Sequence, residues 1–243
     1  MFPERNELLS SLSANERAEI GSHLRRTLLP HDAVLHETGE PIETVYFPES
    51  GAISLAVELS TGELIESALV GSDGCLGGFA AIQGWPALNK AIVQIEASAL
   101  AISAEQLRRI CANGSSLPML LGLHNQFLHA QAQQSAACHA SHHLEARLSR
   151  WLLRASDLCG RSFALTQEAL AVFLGVRRTS VSLTAQSLQD AGMIRYRRGV
   201  IEILDLDLLR KSSCECHAAL QAQRERLQPA TAESQVSGEL AVR

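Results

Sequence analysis

The sequence predicts an α+β fold in three parts: an N-terminal β-roll or jelly roll, one long helix, and a C-terminal helix-turn-helix backed by a β-hairpin. Three observations predict it. Between about residues 27 and 103, short runs alternate apolar with polar side chains and are broken by glycine and proline, the pattern of many short strands. From Leu117 to His139 the period turns helical without interruption. Beyond Leu165, two short helical segments flank Gly175 and lead into an alternating stretch around Arg197-Arg198-Gly199.

Taken in order, residues 6–24 place Leu8, Leu9, Leu12, Ile20 and Leu24 near helical spacing, with Ser13 and Glu16 spaced as a capping box, so two short helices are expected. Ile53, Leu55, Val57 and Leu59 alternate with Ala52, Ser54, Ala56 and Glu58 up to a Ser60-Thr61-Gly62-Glu63 turn, a half-buried strand entering a hairpin. Residues 45–47, 64–65, 68–70, 91–95 and 99–102 supply further strands. Ala104–Ala112 is helical, and after Asn113-Gly114-Ser115 the long helix begins with Pro118 in its first turn. Its stripe, Leu117, Leu120, Leu121, His124, Phe127, Leu128, Gln131, Ser135 and Cys138, runs close to heptad spacing and is expected to meet a second copy of the chain. Packing of that helix on its own barrel is the alternative.

At 243 residues the chain suits two modest domains, and its 46% apolar and 19% charged residues describe a globular protein. No apolar run approaches the roughly 18 residues that span a bilayer, and the start MFPERNELLSS has no signal-peptide core, so a cytoplasmic location and no membrane partner are expected. Six cysteines (Cys75, Cys111, Cys138, Cys159, Cys214, Cys216) show no paired zinc spacing and are expected to be reduced there. The net charge of −5 argues against nucleic acid, but its distribution argues for it. Residues 1–143 carry 7 Lys/Arg against 15 Asp/Glu, whereas residues 144–211 carry 11 against 7. A basic module attached to an acidic one is how a phosphate-binding domain shows itself.

That module holds the most specific pattern. Leu170, Leu174, Val176, Val181 and Leu188 suit the inner face of two helices, Gly175 the turn, and Thr179, Ser182, Leu183 and Gln186 an outer face with Arg178 at its edge. Arginine offers paired donors to guanine, hydroxyls reach phosphate or base edges, and Leu183 suits a thymine methyl. Residues 194–203 then alternate around a cationic tip. The residues expected to meet DNA are therefore Thr166, Gln167, Arg177, Arg178, Thr179, Ser180, Ser182, Leu183, Gln186, Arg195, Arg197 and Arg198.

The segments LTQEALAVFLGVRRTSVS and RYRRGVIEI, preceded by ARLSRWLLRASD and followed by SCEC, strongly resemble the Crp/Fnr family of transcription regulators over nearly the whole chain up to about Cys216. The resemblance implies a cyclic-nucleotide-binding-like β-roll over residues 1–115, a dimerisation helix and hinge over 116–142, a winged helix-turn-helix over 143–217, and a tail over 218–243 expected to be disordered. It also implies a homodimer on double-stranded DNA of two-fold symmetry, with RNA polymerase as a partner. Arg178 falls on the family's first base-reading position, whereas Thr179 and Leu183 replace its usual glutamate and arginine, so the common TGTGA or TTGAT half-site is not expected. Where the family binds cyclic nucleotide through a Gly-Glu and an Arg-Ser pair, this chain has Gly77-Gly78 and Asn89-Lys90. The ribose acceptor and the bidentate phosphate fork are both missing, which implies a degenerate pocket with either an unknown small-molecule effector or none. No cysteine precedes Cys75, so the family's N-terminal iron-sulfur cluster is not expected.

Weaker constellations carry less. His124, His129, His139, His142 and His143 cluster near the hinge, and His139 and His143 are four apart, as helix-borne metal ligands are. No cysteine or carboxylate completes that set at a recognised spacing, Cys214-x-Cys216 lacks redox spacing, and no metal or other cofactor is assigned. Nucleophile-elbow, phosphate-loop and metalloprotease motifs are absent, so no enzyme activity is expected. The competing functions are an effector-independent DNA-binding regulator and a ligand-binding or interaction module.

Overall fold

A computed structural model describes residues 5–227. The two expected N-terminal helices are α1 (Glu7–Ser10) and α2 (Ala14–Gly21), and the capping box between Ser13 and Glu16 is present. Glu16 also accepts from the backbone N–H of Ser116 at 2.6 Å. Its bonds from Ser13 first and Ser116 second hold its carboxyl down at about 2.

The barrel follows as β1 (Arg25–Leu29), β2 (Val34–His36), β3 (Thr44–Pro48), β4 (Ala52–Glu58), β5 (Leu64–Val70), the short helix α3 (Gly78–Gln83), β6 (Lys90–Ile95) and β7 (Ala97–Ser103), closed by α4 (Ala104–Ala112). Its strands form two antiparallel sheets, β1-β7-β3 and β2-β6-β4-β5. The run read as a half-buried strand is β4, which pairs with β5 through Ile53↔Val70 and Glu58↔Leu64, but its burial does not alternate: Ala52 through Ala56 are buried on both faces of the strand, and Val57 and Leu59, expected on the inner face, are exposed. Two residue runs read as separate strands, 64–65 and 68–70, are one strand bent by an irregularity opposite Leu55 and Ala56.

The long helix α5 (Leu117–Ser141) starts with Pro118 in its first turn and stops at His142, whose φ of −111° and ψ of 145° are extended. After that kink comes α6 (Leu144–Cys159), then β8 (Ser162–Ala164), α7 (Gln167–Leu174), α8 (Arg178–Asp190), β9 (Ile194–Arg197), β10 (Val200–Ile203), α9 (Leu206–Ser212) and α10 (Cys216–Leu227). Among the described residues no helix is long and apolar enough to cross a membrane.

Two expectations need correction. The stripe assigned to a second copy is used inside the protomer: Leu117, Leu120, Leu121 and Phe127 are buried, His124 and Gln131 with them, and Leu128 packs half-buried on the barrel core. Helix α5 lies against α3, β5 and α10 of its own chain, and that intramolecular burial produces the apolar period. The side of α5 that faces away carries Met119, Gln126, His129, Gln133, Ala136 and Ala140, all exposed. The second correction concerns the tail: residues 218–227, expected to be disordered, continue α10, which buries His217 and Leu220 against the body. Residues 228–243, read as a polar tail, lie outside the described residues.

Barrel and C-terminal module share a core. Ala52, Leu69 and Ile95 of the barrel pack in one cluster with Leu148, Trp151, Leu152, Phe173 and Leu174. Polar groups span the same junction: Trp151 Nε1 donates to Glu66 Oε1 at 2.8 Å, and Arg154 pairs with Asp73 at 2.7 Å while donating to the Leu69 carbonyl at 3.0 Å.

Candidate nucleic-acid interface

The helix pair is built as its sequence requires. Thr166 caps α7 by accepting from the Ala169 N–H at 3.1 Å. Gly175 ends it with φ of +59° and ψ of 45°, a left-handed conformation that an L-residue adopts at a cost of roughly 1–2 kcal/mol. Val181, Ala185 and Leu188 turn the inner face of α8 onto Leu170, Phe173 and Leu174. The opposite face is open: Arg177, Arg178, Thr179 and Gln186 are exposed, and Leu183 is 74% exposed.

Several of the expected DNA-reading residues have intramolecular partners. Ser182 Oγ donates to Gln167 Oε1 at 2.6 Å and, alternatively, to the Arg178 carbonyl at 3.0 Å, tying the two helices together. Arg178 Nε lies 3.7 Å from Glu168 Oε2 in an exposed pair, and Gln186 bonds Asp190 at 2.7 Å. Exposed pairs of this kind are worth little and exchange readily for a phosphate or base. Thr179 is exposed and Ser180 half-buried at the first turn of α8, beside Arg177 and Arg178.

Behind α8, β10 pairs with both β8 and β9, and the β9–β10 turn places Arg198 and Gly199 at φ of +53° and +76°, the double positive φ of a tight hairpin. Ile194, Ile201 and Ile203 face the core, so Arg195 and Arg197 point out. Arg195 bonds Glu202 across the strands at 2.7 Å, which leaves Arg197 and Arg198 as the cationic tip. Gln189 Oε1 accepts from Tyr196 N–H at 2.8 Å, fixing the hairpin to the end of α8.

In the barrel, Gly77, Gly78 and Asn89 line a cavity of about 100 Å3 together with His36, Cys75, Phe79 and His124. That is below the roughly 300 Å3 at which ordinary ligand pockets begin. A Cβ at Gly78 would stand 2.6 Å from Leu121 Cδ2 and 2.7 Å from Cys75 Sγ, so the space for a larger side chain is already filled. Lys90 does not line the cavity; its Nζ lies 3.0 Å from Glu37 and 3.7 Å from Glu58. Burial lowers the pKa of His124, whose Nε2 sits 3.0 Å from the Cys75 carbonyl and 3.2 Å from its N–H.

The histidines do not gather as their spacing suggested. Helix α5 ends at Ser141, and His143 is the N-cap of α6, so His139 and His143 share no helix face. Instead the structure brings together Cys138, His142, Cys214 and Cys216, whose ligand atoms lie within 4.8 Å of one another. Sequence reasoning weighed these residues separately because 71 residues lie between His142 and Cys214.

Fold and surface thus define a DNA-binding-type helix-turn-helix module joined to an N-terminal β-barrel. Comparison with protein families matches residues 25–113 to the cyclic nucleotide-binding domain and residues 146–212 to the Crp-like helix-turn-helix domain. The chain belongs to the Crp/Fnr family of transcription regulators. Comparison with curated proteins gives no match. Among solved structures, FixK2 from Bradyrhizobium japonicum superposes with a TM-score of 0.66 at 16% identity, covering 79% of this chain and 98% of that one. The c-di-GMP responsive global regulator CLP of Xanthomonas campestris gives 0.60 at 18%, covering 79% and 100%. The Crp/Fnr-family regulator TTHA1359 of Thermus thermophilus gives 0.61 at 21%, covering 78% and 98%. At these identities the likeness concerns the fold.

Proposed function

We propose that this regulator reads double-stranded DNA of two-fold symmetry as a homodimer, inserting α8 into the major groove and setting the β9–β10 tip on the phosphate backbone. The observation that carries the reading is the outward face of α8: Arg177, Arg178, Thr179, Leu183 and Gln186 stand exposed beside Arg197 and Arg198, while every buried side chain of α8 faces inward. In this reading Arg178 supplies the paired donors for a guanine, and Leu183, where the family usually has arginine, meets a thymine methyl. Thr166, Gln167, Ser180 and Ser182 position the helix on phosphate.

The second copy is placed on the outward side of α5, where Met119, Gln126, Gln133 and Ala140 recur every seven residues with His129 and Ala136 between them. The dimer brings its two α8 helices to successive major grooves, about 34 Å apart, and acts on RNA polymerase from there in the cytoplasm. The barrel does not hold cyclic AMP through the family's usual contacts, because the Gly78 position is packed and Lys90 is engaged by Glu37 and Glu58. Binding without any effector is the second reading, and the small cavity favours it.

Fluorescence anisotropy with duplex DNA over a range of salt tests the proposal. The full chain is expected to bind with a steep salt slope, and replacing both Arg197 and Arg198 by Ala is expected to flatten it by about two units in the dimer-normalised slope per protomer. Binding that is indifferent to salt would overturn the reading.

A further inference from the structure

The four residues Cys138, His142, Cys214 and Cys216 are buried or half-buried at the junction of three elements: the end of α5, the kink before α6 and the α9–α10 connection. We propose that they form a tetrahedral metal site of three thiolates and one imidazole, and that its ion is zinc.

The distances suit a single ion. Zinc sits about 2.3 Å from thiolate sulfur and about 2.0 Å from imidazole nitrogen, which sets neighbouring ligand atoms of a tetrahedron roughly 3.5–3.8 Å apart. Cys138 Sγ and Cys214 Sγ are 3.6 Å apart, and Cys216 Sγ is 3.6 Å from His142 Nδ1. Three soft sulfur donors with one nitrogen and no carboxylate select zinc over magnesium, calcium or manganese. An iron-sulfide cluster spreads its cysteine ligands around several metal atoms, wider than the 4.8 Å that encloses this set.

Surrounding groups support the site. His142 Nε2 lies 3.2 Å from Glu215 Oε1, so the carboxylate can accept the Nε2–H of the neutral ring and leave Nδ1 unprotonated to ligate. Gln134 Nε2 donates to Cys216 Sγ at 3.0 Å, a bond that a thiolate accepts better than a thiol. The guanidinium of Arg150, buried with its Nε lacking a hydrogen-bond partner, acts electrostatically on Cys138 and offsets the excess negative charge of three thiolates around a divalent ion. On binding, the three thiol protons leave to solvent and no electron is transferred.

The site would close the chain around the whole helix-turn-helix module, between the end of α5 and the start of α10. An ion there fixes how the module sits on the α5 axis. That consequence rests on the DNA-reading proposal; the metal itself does not.

The test is metal content and cobalt(II) spectroscopy on the full chain, purified under reducing conditions and reconstituted with the metal ion alone. The expected result is about one zinc per chain and, after cobalt substitution, visible bands of a tetrahedral sulfur-rich site. Cys138→Ser combined with Cys214→Ser is expected to abolish both, and Cys111→Ser to leave both unchanged. His142→Gln, a milder change at the rim, is expected to shift the cobalt bands and weaken cobalt affinity at least about tenfold, whether or not the double variant folds. No stoichiometric metal after reconstitution, metal retained by the double variant, iron with sulfide in its place, or a Cys138–Cys214 disulfide in the reduced preparation would each overturn the proposal. These readouts do not involve DNA, so failure of the DNA-reading proposal leaves them standing.

Discussion

At the first turn of α8, the Arg178 side chain pairs, among the described residues, with the exposed carboxylate of Glu168 at 3.7 Å. Such a pair contributes little to stability, so Arg178→Ala is expected to leave the unfolding free energy within about 0.5 kcal/mol of wild type while costing about 1–3 kcal/mol of discrimination at one base pair of each half-site. Urea unfolding checks the first half of that expectation and competition binding with single-base-pair variants of a selected site the second. The residue's exposure was legible from its phase on the helix. The metal quartet was not, because Cys138-x-x-x-His142 and Cys214-x-Cys216 acquire meaning only when α10 folds back beside the end of α5.

At the scale of elements, Gly175 joins two helices whose packing decides the angle at which α8 is offered. An added Cβ there meets Ile65 Cδ1 at 2.9 Å in a left-handed conformation. Gly175→Ala is therefore expected to destabilise by about 1–2 kcal/mol, read as a lower denaturant midpoint at unchanged slope. For α5, replacing Gln126 and Gln133 by Glu places like charges on the outward heptad positions of both copies. Sedimentation is expected to show a weaker dimer with unchanged protomer stability; no change in mass would place the second copy elsewhere. Helix periods, the hairpin of β9 and β10 and most barrel strands were readable from local patterns. Strands β1, β2 and β8 were not, since β1 is short, carries the basic pair Arg25 and Arg26 and finds its partner 68 to 76 residues away in β7. Helix α3 was hidden too, because it starts at the glycine pair that reads as a turn. The long helix shows why an apolar stripe does not name its partner: burial against one's own barrel and against a second copy produce the same period.

In the whole molecule, barrel and DNA-reading module meet over a titratable contact. Glu66 is buried under Trp151, and burial raises its pKa to about 7, opposed in part by its hydrogen bonds and by Arg150 and Arg154. A carboxyl whose folded pKa lies above its ordinary value of 4.5 stabilises fully at acid pH, and that contribution is lost as pH rises through about 7. The loss is on the order of 3 kcal/mol. Glu66→Gln keeps an acceptor for Trp151 without the charge, so the variant is expected to gain stability relative to wild type between pH 5 and pH 8, measured by urea unfolding at both; equal differences at the two pH values would contradict the assignment. The central claim, that α8 reads sequence and does so in pairs, is tested most directly by selecting bound duplexes from random DNA with the purified chain and, in parallel, with Arg178→Ala. An enriched motif of two-fold symmetry with half-sites about one helical turn apart is expected, losing one base pair of specificity in each half-site in the variant. Enrichment of an asymmetric motif, or of the same motif by both proteins, would contradict it.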